Sequence, residues 1–178
     1  MEKKNKNLDE KLKQIKYWVI DVDGTMTDAG IYYDDNGNEI KKFCTKDAAG
    51  YFTAKAAGMD IIVLTGRECP ATTKRLTELG IQHIFQDVKN KKAFIASYMA
   101  ENNILKEELA YIGDDLNDLP PMKLAGFIAC PADACAEIKH TADYVSPICG
   151  GHGAVRDSIE YVLRRIGLWD NTVEKVYY

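Results

Sequence analysis

A basic excess is missing from this chain: Lys and Arg number 23 against 27 Asp and Glu, for a formal net charge of −4. A nucleic-acid partner needs a cationic stripe that displaces phosphate counterions, so that class of function is excluded. Paired cysteine motifs are missing too. Cys44, Cys69, Cys130, Cys135 and Cys149 are odd in number, form no Cys-x-x-Cys pair and have no His at zinc spacing. They read as reduced thiols of a cytoplasmic protein. No run approaches the roughly 18 apolar residues that a membrane span requires. The Lys- and Asn-rich opening, residues 1–16, lacks the apolar core of a signal peptide. The expectation is a soluble, cytoplasmic protein with no membrane and no nucleic-acid partner.

Internal repeats are also lacking, and 178 residues leave room for one core but not for a second folded domain. With 46% apolar and 28% charged residues the chain has the makings of an ordinary globular core. The composition predicts a disordered extension over residues 1–14, one domain over 15–168, and a tail over 169–178 that is either a contact surface or frayed.

Short apolar runs alternate with longer helix-like stretches, which predicts an α/β protein: a Rossmann-like parallel sheet flanked by helices. The expected strands are Tyr17 to Ile20, Ile61 to Leu64, His83 to Phe85, Ala110 to Ile112 and Phe127 to Ala129. Helices are expected over Ala48 to Ala57, Pro70 to Leu79, Lys91 to Asn102 and Ala154 to Ile166, the first two followed by Gly58 and Gly80. One segment breaks the alternation. Two strand-like runs, Ile31 to Tyr33 and Ile40 to Phe43, flank the turn sequence Asp34-Asp35-Asn36-Gly37, which predicts a β-hairpin inserted directly after the first strand.

Asp21 and Asp23 stand two residues apart where the apolar run Tyr17 to Ile20 meets Gly24. Residues i and i+2 of a strand share a face, so both carboxylates can reach one site at the sheet edge. The competing reading is a solvated Asp-Gly turn, yet a turn needs no acid straight after four apolar residues. A second cluster, Gly113-Asp114-Asp115-Leu116-Asn117-Asp118, follows Ala110 to Ile112 and should open on the same edge. Two acidic clusters on one edge repel unless a cation lies between them. An acidic helix start would explain either cluster alone, but not the pair. Thr65-Gly66-Arg67 ends a third strand with a hydroxyl, an approachable backbone and a guanidinium, all suited to a phosphate or a carboxylate. Lys91 is either a solvated surface lysine or a cation for phosphate.

In order, Asp21-x-Asp23-Gly24-Thr25, Thr65-Gly66, Lys91 and Gly113-Asp114-Asp115 resemble the four motifs of the haloacid-dehalogenase (HAD) phosphatases, from about Tyr17 to Arg165. Phe43 to Asp47, Thr65 to Arg67, Gly113 to Asp118 and Gly150 to Arg156 carry a closer similarity to members that act on phosphorylated 2-keto-3-deoxy sugar acids of eight carbons. The resemblance implies the HAD fold and a Mg²⁺-dependent phosphatase. Asp21 would be the nucleophile and Asp23 the general acid and base. Asp21, the Asp23 carbonyl and Asp114 would hold Mg²⁺, with Thr65, Gly66 and Lys91 on phosphate. Lys46, Asp47, Arg67, Arg75 and Asn117 would meet the sugar acid, with Asp115 and Asp118 supporting the ligands from behind.

The gaps between motifs are too short for a cap domain. Capless relatives are similar to homotetramers in which the hairpins meet and neighbours complete each site. Two alternatives stay open: a phosphatase of nine-carbon sugar acids, whose members carry Glu at the position of Arg67, and a catalytically silent HAD-like oligomerisation module. By the same resemblance His152 stands where close relatives of the eight-carbon group have Arg and Phe52 where some have a basic residue, and Arg67 has a rival role, pairing with Glu68 or another nearby acid.

Overall fold

A computed structural model describes residues 8–178. Six strands form one parallel sheet: β1 (Tyr17–Ile20), β4 (Asp60–Leu64), β5 (His83–Phe85), β6 (Leu109–Ile112), β7 (Phe127–Cys130) and β8 (Tyr144–Val145), in the order β5-β4-β1-β6-β7-β8. The two-residue ribbon β2 (Tyr32–Tyr33) and β3 (Glu39–Ile40) lies between β1 and β4 in the chain and pairs only with itself. Helices are α1 (residues 8–12), α2 (Asp47–Ala56), α3 (Pro70–Glu78), α4 (Lys91–Glu101), α5 (Leu119–Met122), α6 (Ala136–Thr141), α7 (Ala154–Arg165) and α8 (Trp169–Tyr177).

The strand sequences are apolar on both faces because both faces are covered, and their side chains alternate between two cores. Trp18, Ile20, Ile61, Val63, Ala110, Ile112, Phe127 and Ala129 point to one side, against Tyr51 and Ala54 of α2, Leu76 of α3 and Val155, Ile159 and Val162 of α7. Val19, Ile62, Leu64, Leu109, Tyr111, Ile128 and Cys130 point to the other, against Ile95 of α4, Met122 of α5 and Ile138 of α6. From β1 the chain first runs outward through β4 and β5, then returns to pair β6 on the opposite side of β1. Strand order thus reverses beside β1, and in such sheets the crevice beyond the strand C-termini at that reversal takes the ligand.

Five strands and the four long helices fall within a residue of expectation, and the hairpin lies where expected, although its second strand is Glu39–Ile40 rather than Ile40 to Phe43. The sequence reading missed β8, the short helices α5 and α6, and the helix α8. Two boundaries move. The extension expected to be disordered through residue 14 is helical over 8–12, because Leu12 and Ile15 are buried under the sheet; residues 1–7 lie outside the described residues. The expected tail is α8, which buries Trp169 and Thr172, with the guanidinium groups of Arg156 and Arg164 5.8 and 5.2 Å from the Trp169 ring. Between β1 and β4 the chain inserts only the hairpin and α2, and between β4 and β5 only α3, so there is no cap domain among the described residues. No helix among the described residues is long and apolar enough to cross a membrane.

Candidate active site

Register brings the motifs together. Ile20 lies opposite Val63 of β4 and Ile112 of β6, so Asp21, Thr65 and Gly113 leave three adjacent strands at one edge. Beyond Asp21 the chain closes a tight turn in which the Val22 carbonyl accepts from the backbone N–H groups of Thr25, Met26 and Thr27. Gly24 adopts φ +93°, and a Cβ there would collide with the Asp114 carboxylate. Only glycine lets the two acidic loops approach this closely.

Oxygens of Asp21, Asp114 and Asp118 lie within 4.8 Å of one another. Lys91 begins α4, whose amino end is capped by the Asn90 side chain accepting from Ala93 N–H at 3.0 Å. Its buried ammonium donates to Asp21 Oδ1 at 2.6 Å and to Asp118 Oδ1 at 2.7 Å. Tyr111 hydroxyl also donates to Asp118 Oδ1, at 2.8 Å, while Asp118 Oδ2 accepts from the Asp114 N–H at 3.2 Å. Thr25 donates to Asp114 Oδ1 at 3.0 Å. Asp118 is therefore held on both oxygens, while the side-chain hydrogen bonds to Asp21 and Asp114 fall on their Oδ1 atoms.

The charges are poorly balanced. Burial, then the neighbouring Asp118, hold the Asp21 carboxyl well above the usual range, with Lys91 opposing them. Burial and Asp118 push Asp114 up to about 7. Lys91 is raised: burial works against its charge, but Asp21 and Asp118 outweigh it. Crowded carboxylates that resist ionisation gain from a hard cation with oxygen ligands, so the donor set fits Mg²⁺.

Asp23 stands apart from this cluster. Thr65 donates to its Oδ2 at 3.3 Å, and Lys41, directly after β3, pairs with its Oδ1. Lys41 also pairs with Glu39 at 2.9 Å, and Glu39 takes Arg67 at 2.9 Å through its other oxygen. Burial acts against both charges, but the partners win: Lys41 is raised and Glu39 lowered. Arg67 thus has an acidic partner, the rival role anticipated for it, although the acid is Glu39 rather than Glu68.

The remaining expected residues are less concentrated. Thr65 is buried and also accepts from the Arg67 N–H at 3.2 Å, while the Gly66 carbonyl accepts from Lys89 at 2.9 Å. Asp115 and Asn117 are exposed on the loop between β6 and α5. Lys46 lines a cavity of about 240 Å³ with His152, Arg156 and Glu160. Asp47 is buried, with Oδ1 accepting from the Arg156 N–H at 3.0 Å at the start of α7. Arg75 sits on α3, 3.6 Å from Glu78. Glu39, Lys41 and Tyr111 were not anticipated. The alternation Glu39-Ile40-Lys41 did signal two charges on one face of a strand, but Tyr111 inside an apolar run gave none.

A family model described as haloacid dehalogenase-like hydrolase matches residues 82–154. The chain is 36% identical over 160 residues to the 3-deoxy-D-manno-octulosonate 8-phosphate phosphatase of Escherichia coli (strain K12), covering 90% of this chain and 85% of that one. The protein of the same name from Haemophilus influenzae is 35% identical, covering 90% and 89%. Among solved structures, that of the Moraxella catarrhalis 3-deoxy-D-manno-octulosonate 8-phosphate phosphatase, in complex with a magnesium ion, a phosphate ion and KDO, superposes with a TM-score of 0.90. It is 33% identical, covering 95% of this chain and 97% of that chain. The cobalt-bound Haemophilus influenzae enzyme gives 0.84 at 35% identity, covering 89% and 93%.

Proposed function

From the premise that the chain belongs to the haloacid dehalogenase-like hydrolases, in the family of 3-deoxy-D-manno-octulosonate 8-phosphate phosphatases, we propose that it hydrolyses that phosphorylated sugar acid with Mg²⁺. The products are 3-deoxy-D-manno-octulosonate and inorganic phosphate. The observation that carries this reading is the cluster of Asp21, Asp114 and Asp118 around buried Lys91, at the sheet edge where strand order reverses.

Asp21 is the nucleophile: its carboxylate attacks phosphorus, the ester oxygen leaves, and water then cleaves the aspartyl phosphate. Asp23 gives the leaving oxygen its proton and takes one from the attacking water in the second step. Thr65 hydroxyl, the Gly66 N–H and Lys91 hold the phosphate oxygens, with Lys91 already steered into the cluster by its two aspartates. Asp21, the Asp23 carbonyl and Asp114 would bind Mg²⁺, which supplies charge neutralisation of the phosphate. Asp118 and Asp115 support this set.

The far end of the substrate carries a carboxylate, for which a guanidinium is a bidentate partner. Arg67 at the mouth supports the eight-carbon substrate, with Glu39 as the anion it exchanges. Lys46, Asp47, Arg75 and Asn117 complete the proposed contacts. Four exposed apolar side chains on or beside the hairpin, Ile31, Tyr32, Tyr33 and Ile40, support a homotetramer whose neighbours cover the capless site. The five free cysteines favour a reducing cytoplasmic setting.

The deciding experiment is a phosphate-release screen with Mg²⁺ against eight- and nine-carbon keto sugar acid phosphates and ordinary hexose phosphates. The eight-carbon acid should give the highest kcat/KM. Preference for a nine-carbon acid or a neutral sugar phosphate would overturn the substrate assignment.

A further inference from the structure

The hairpin brings charge as well as apolar surface into the site. Glu39 and Lys41 bracket Ile40, so both charged side chains leave the same face of the ribbon while Ile40 faces outward. The Lys41 side chain is only 2% exposed and pairs with both Asp23 and Glu39. A lysine is buried this deeply only when its charge is matched. The two oxygens of Asp23 are consequently unequal. Oδ1 is paired with a buried ammonium that Glu39 fixes from behind at 2.9 Å. Oδ2 has only the Thr65 hydroxyl at 3.3 Å, a long neutral bond to a group that turns to phosphate in the proposed reaction. Charge-assisted hydrogen bonds are about twice as strong as neutral ones, so Oδ1 is the fixed oxygen and Oδ2 the exchangeable one.

We propose that Lys41, held by Glu39, is a positioning residue that locks the Asp23 carboxyl so that Oδ2 faces the ester oxygen and carries the proton delivered to the leaving group. This rests on Asp23 acting as general acid, and it gives the hairpin a role within its own subunit. In the first step the P–O(ester) bond breaks as the Asp21–phosphorus bond forms. The Oδ2 proton passes to the departing oxygen, while Lys41 keeps its protons throughout.

The proposal is distinguished from a merely structural ion pair by leaving-group dependence. A p-nitrophenolate leaves without a proton, whereas an alkoxide does not. The test is Lys41→Met, with Glu39→Gln as a second variant that keeps the lysine but loosens its support. Both are assayed with Mg²⁺ on a series of aryl and alkyl phosphates of increasing leaving-group basicity, together with the keto sugar acid phosphate. For Lys41→Met, kcat/KM on alkyl esters should fall about 10- to 100-fold, less than the roughly 10²- to 10⁴-fold that general acid catalysis itself contributes, because Asp23 is kept and only its placement is loosened. On p-nitrophenyl phosphate kcat/KM should fall less than about threefold, because the second step, in which Asp23 acts on water whatever the ester, does not enter kcat/KM. Glu39→Gln should show the same steepening to a smaller degree. Equal losses across the series would make Lys41 a structural pair, and a loss confined to KM for the sugar acid would make it a substrate contact; either overturns the proposal. The simple esters report on Lys41 even if the natural substrate proves to be a different one.

Discussion

Asp47 shows how burial acts on one carboxylate. The residue is 2% exposed, its Oδ1 accepts from the Arg156 N–H at 3.0 Å, and its Oδ2 has no hydrogen-bond partner. Burial raises its pKa from 3.8 to about 6, against the pull of that N–H. The folded protein therefore holds this proton more tightly than the unfolded chain. The ionisation penalty is absent below about pH 4, grows as pH rises towards 6, and is fully present above that. At 1.36 kcal/mol per pKa unit the penalty is at most about 3 kcal/mol. Asp47→Asn keeps an acceptor for Arg156 and removes the charge. Thermal melts from pH 4 to 8 should show the variant gaining on the wild type as pH rises, by several degrees above pH 6, since about 1 kcal/mol moves Tm by ~2–4 °C in a chain of this size. Parallel pH curves for the two proteins would show that Asp47 is not the titrating group. The same residue marks a limit of sequence reading. Nothing in Lys46-Asp47 disclosed that Asp47 Oδ1 accepts from the N–H of Arg156 at the start of α7.

At the scale of elements, legibility followed burial. β1, β4, β6 and β7 are apolar on both faces because both faces are covered, so each was readable as a buried strand. The two-residue β8 has too little sequence to show a period, and α5 contains Pro120 and Pro121, which read as loop. α8 was obscured by its mixed face, where Trp169 is buried and Tyr177 is 53% exposed. The hairpin was legible from Asp34 to Asn38: Asp34 Oδ1 accepts from the Asn36 and Asn38 N–H groups at 2.9 and 2.8 Å, and Gly37 takes φ +80°. A two-stranded ribbon is only marginally stable alone, yet this one exposes Tyr33 at 63% and Ile40 at 51%. Light scattering at micromolar concentration should therefore give a tetramer mass, and the pair Tyr32→Glu and Tyr33→Glu should reduce it to a half or a quarter. A monomeric wild type with full activity would return the ribbon to an edge decoration.

At the scale of the whole molecule, one reversal of strand order assembles the site. The chain turns back beside β1, so the loops after β1, β4 and β6 converge, and helix α4 adds Lys91 from the second layer. The acids were legible because polar residues at the ends of apolar strands have no packing reason to be there, whereas Lys91, at the start of α4, was legible only through its place in the order of motifs. The links among them were not, because Lys91 to Asp118, Tyr111 to Asp118 and Lys41 to Asp23 depend on side-chain directions that spacing alone leaves open. At the centre of the acidic cluster Asp21 is 4% exposed and faces Lys91 at 2.6 Å, and it is the group from which the proposed chemistry starts. The most direct test is the rate of Mg²⁺-dependent phosphate release by Asp21→Asn on the eight-carbon keto acid phosphate, with circular dichroism to verify the fold. The amide is nearly isosteric but cannot attack phosphorus, so the rate should fall by about 10³-fold or more. A folded Asp21→Asn protein that keeps activity within about tenfold of wild type would contradict nucleophilic catalysis at this residue.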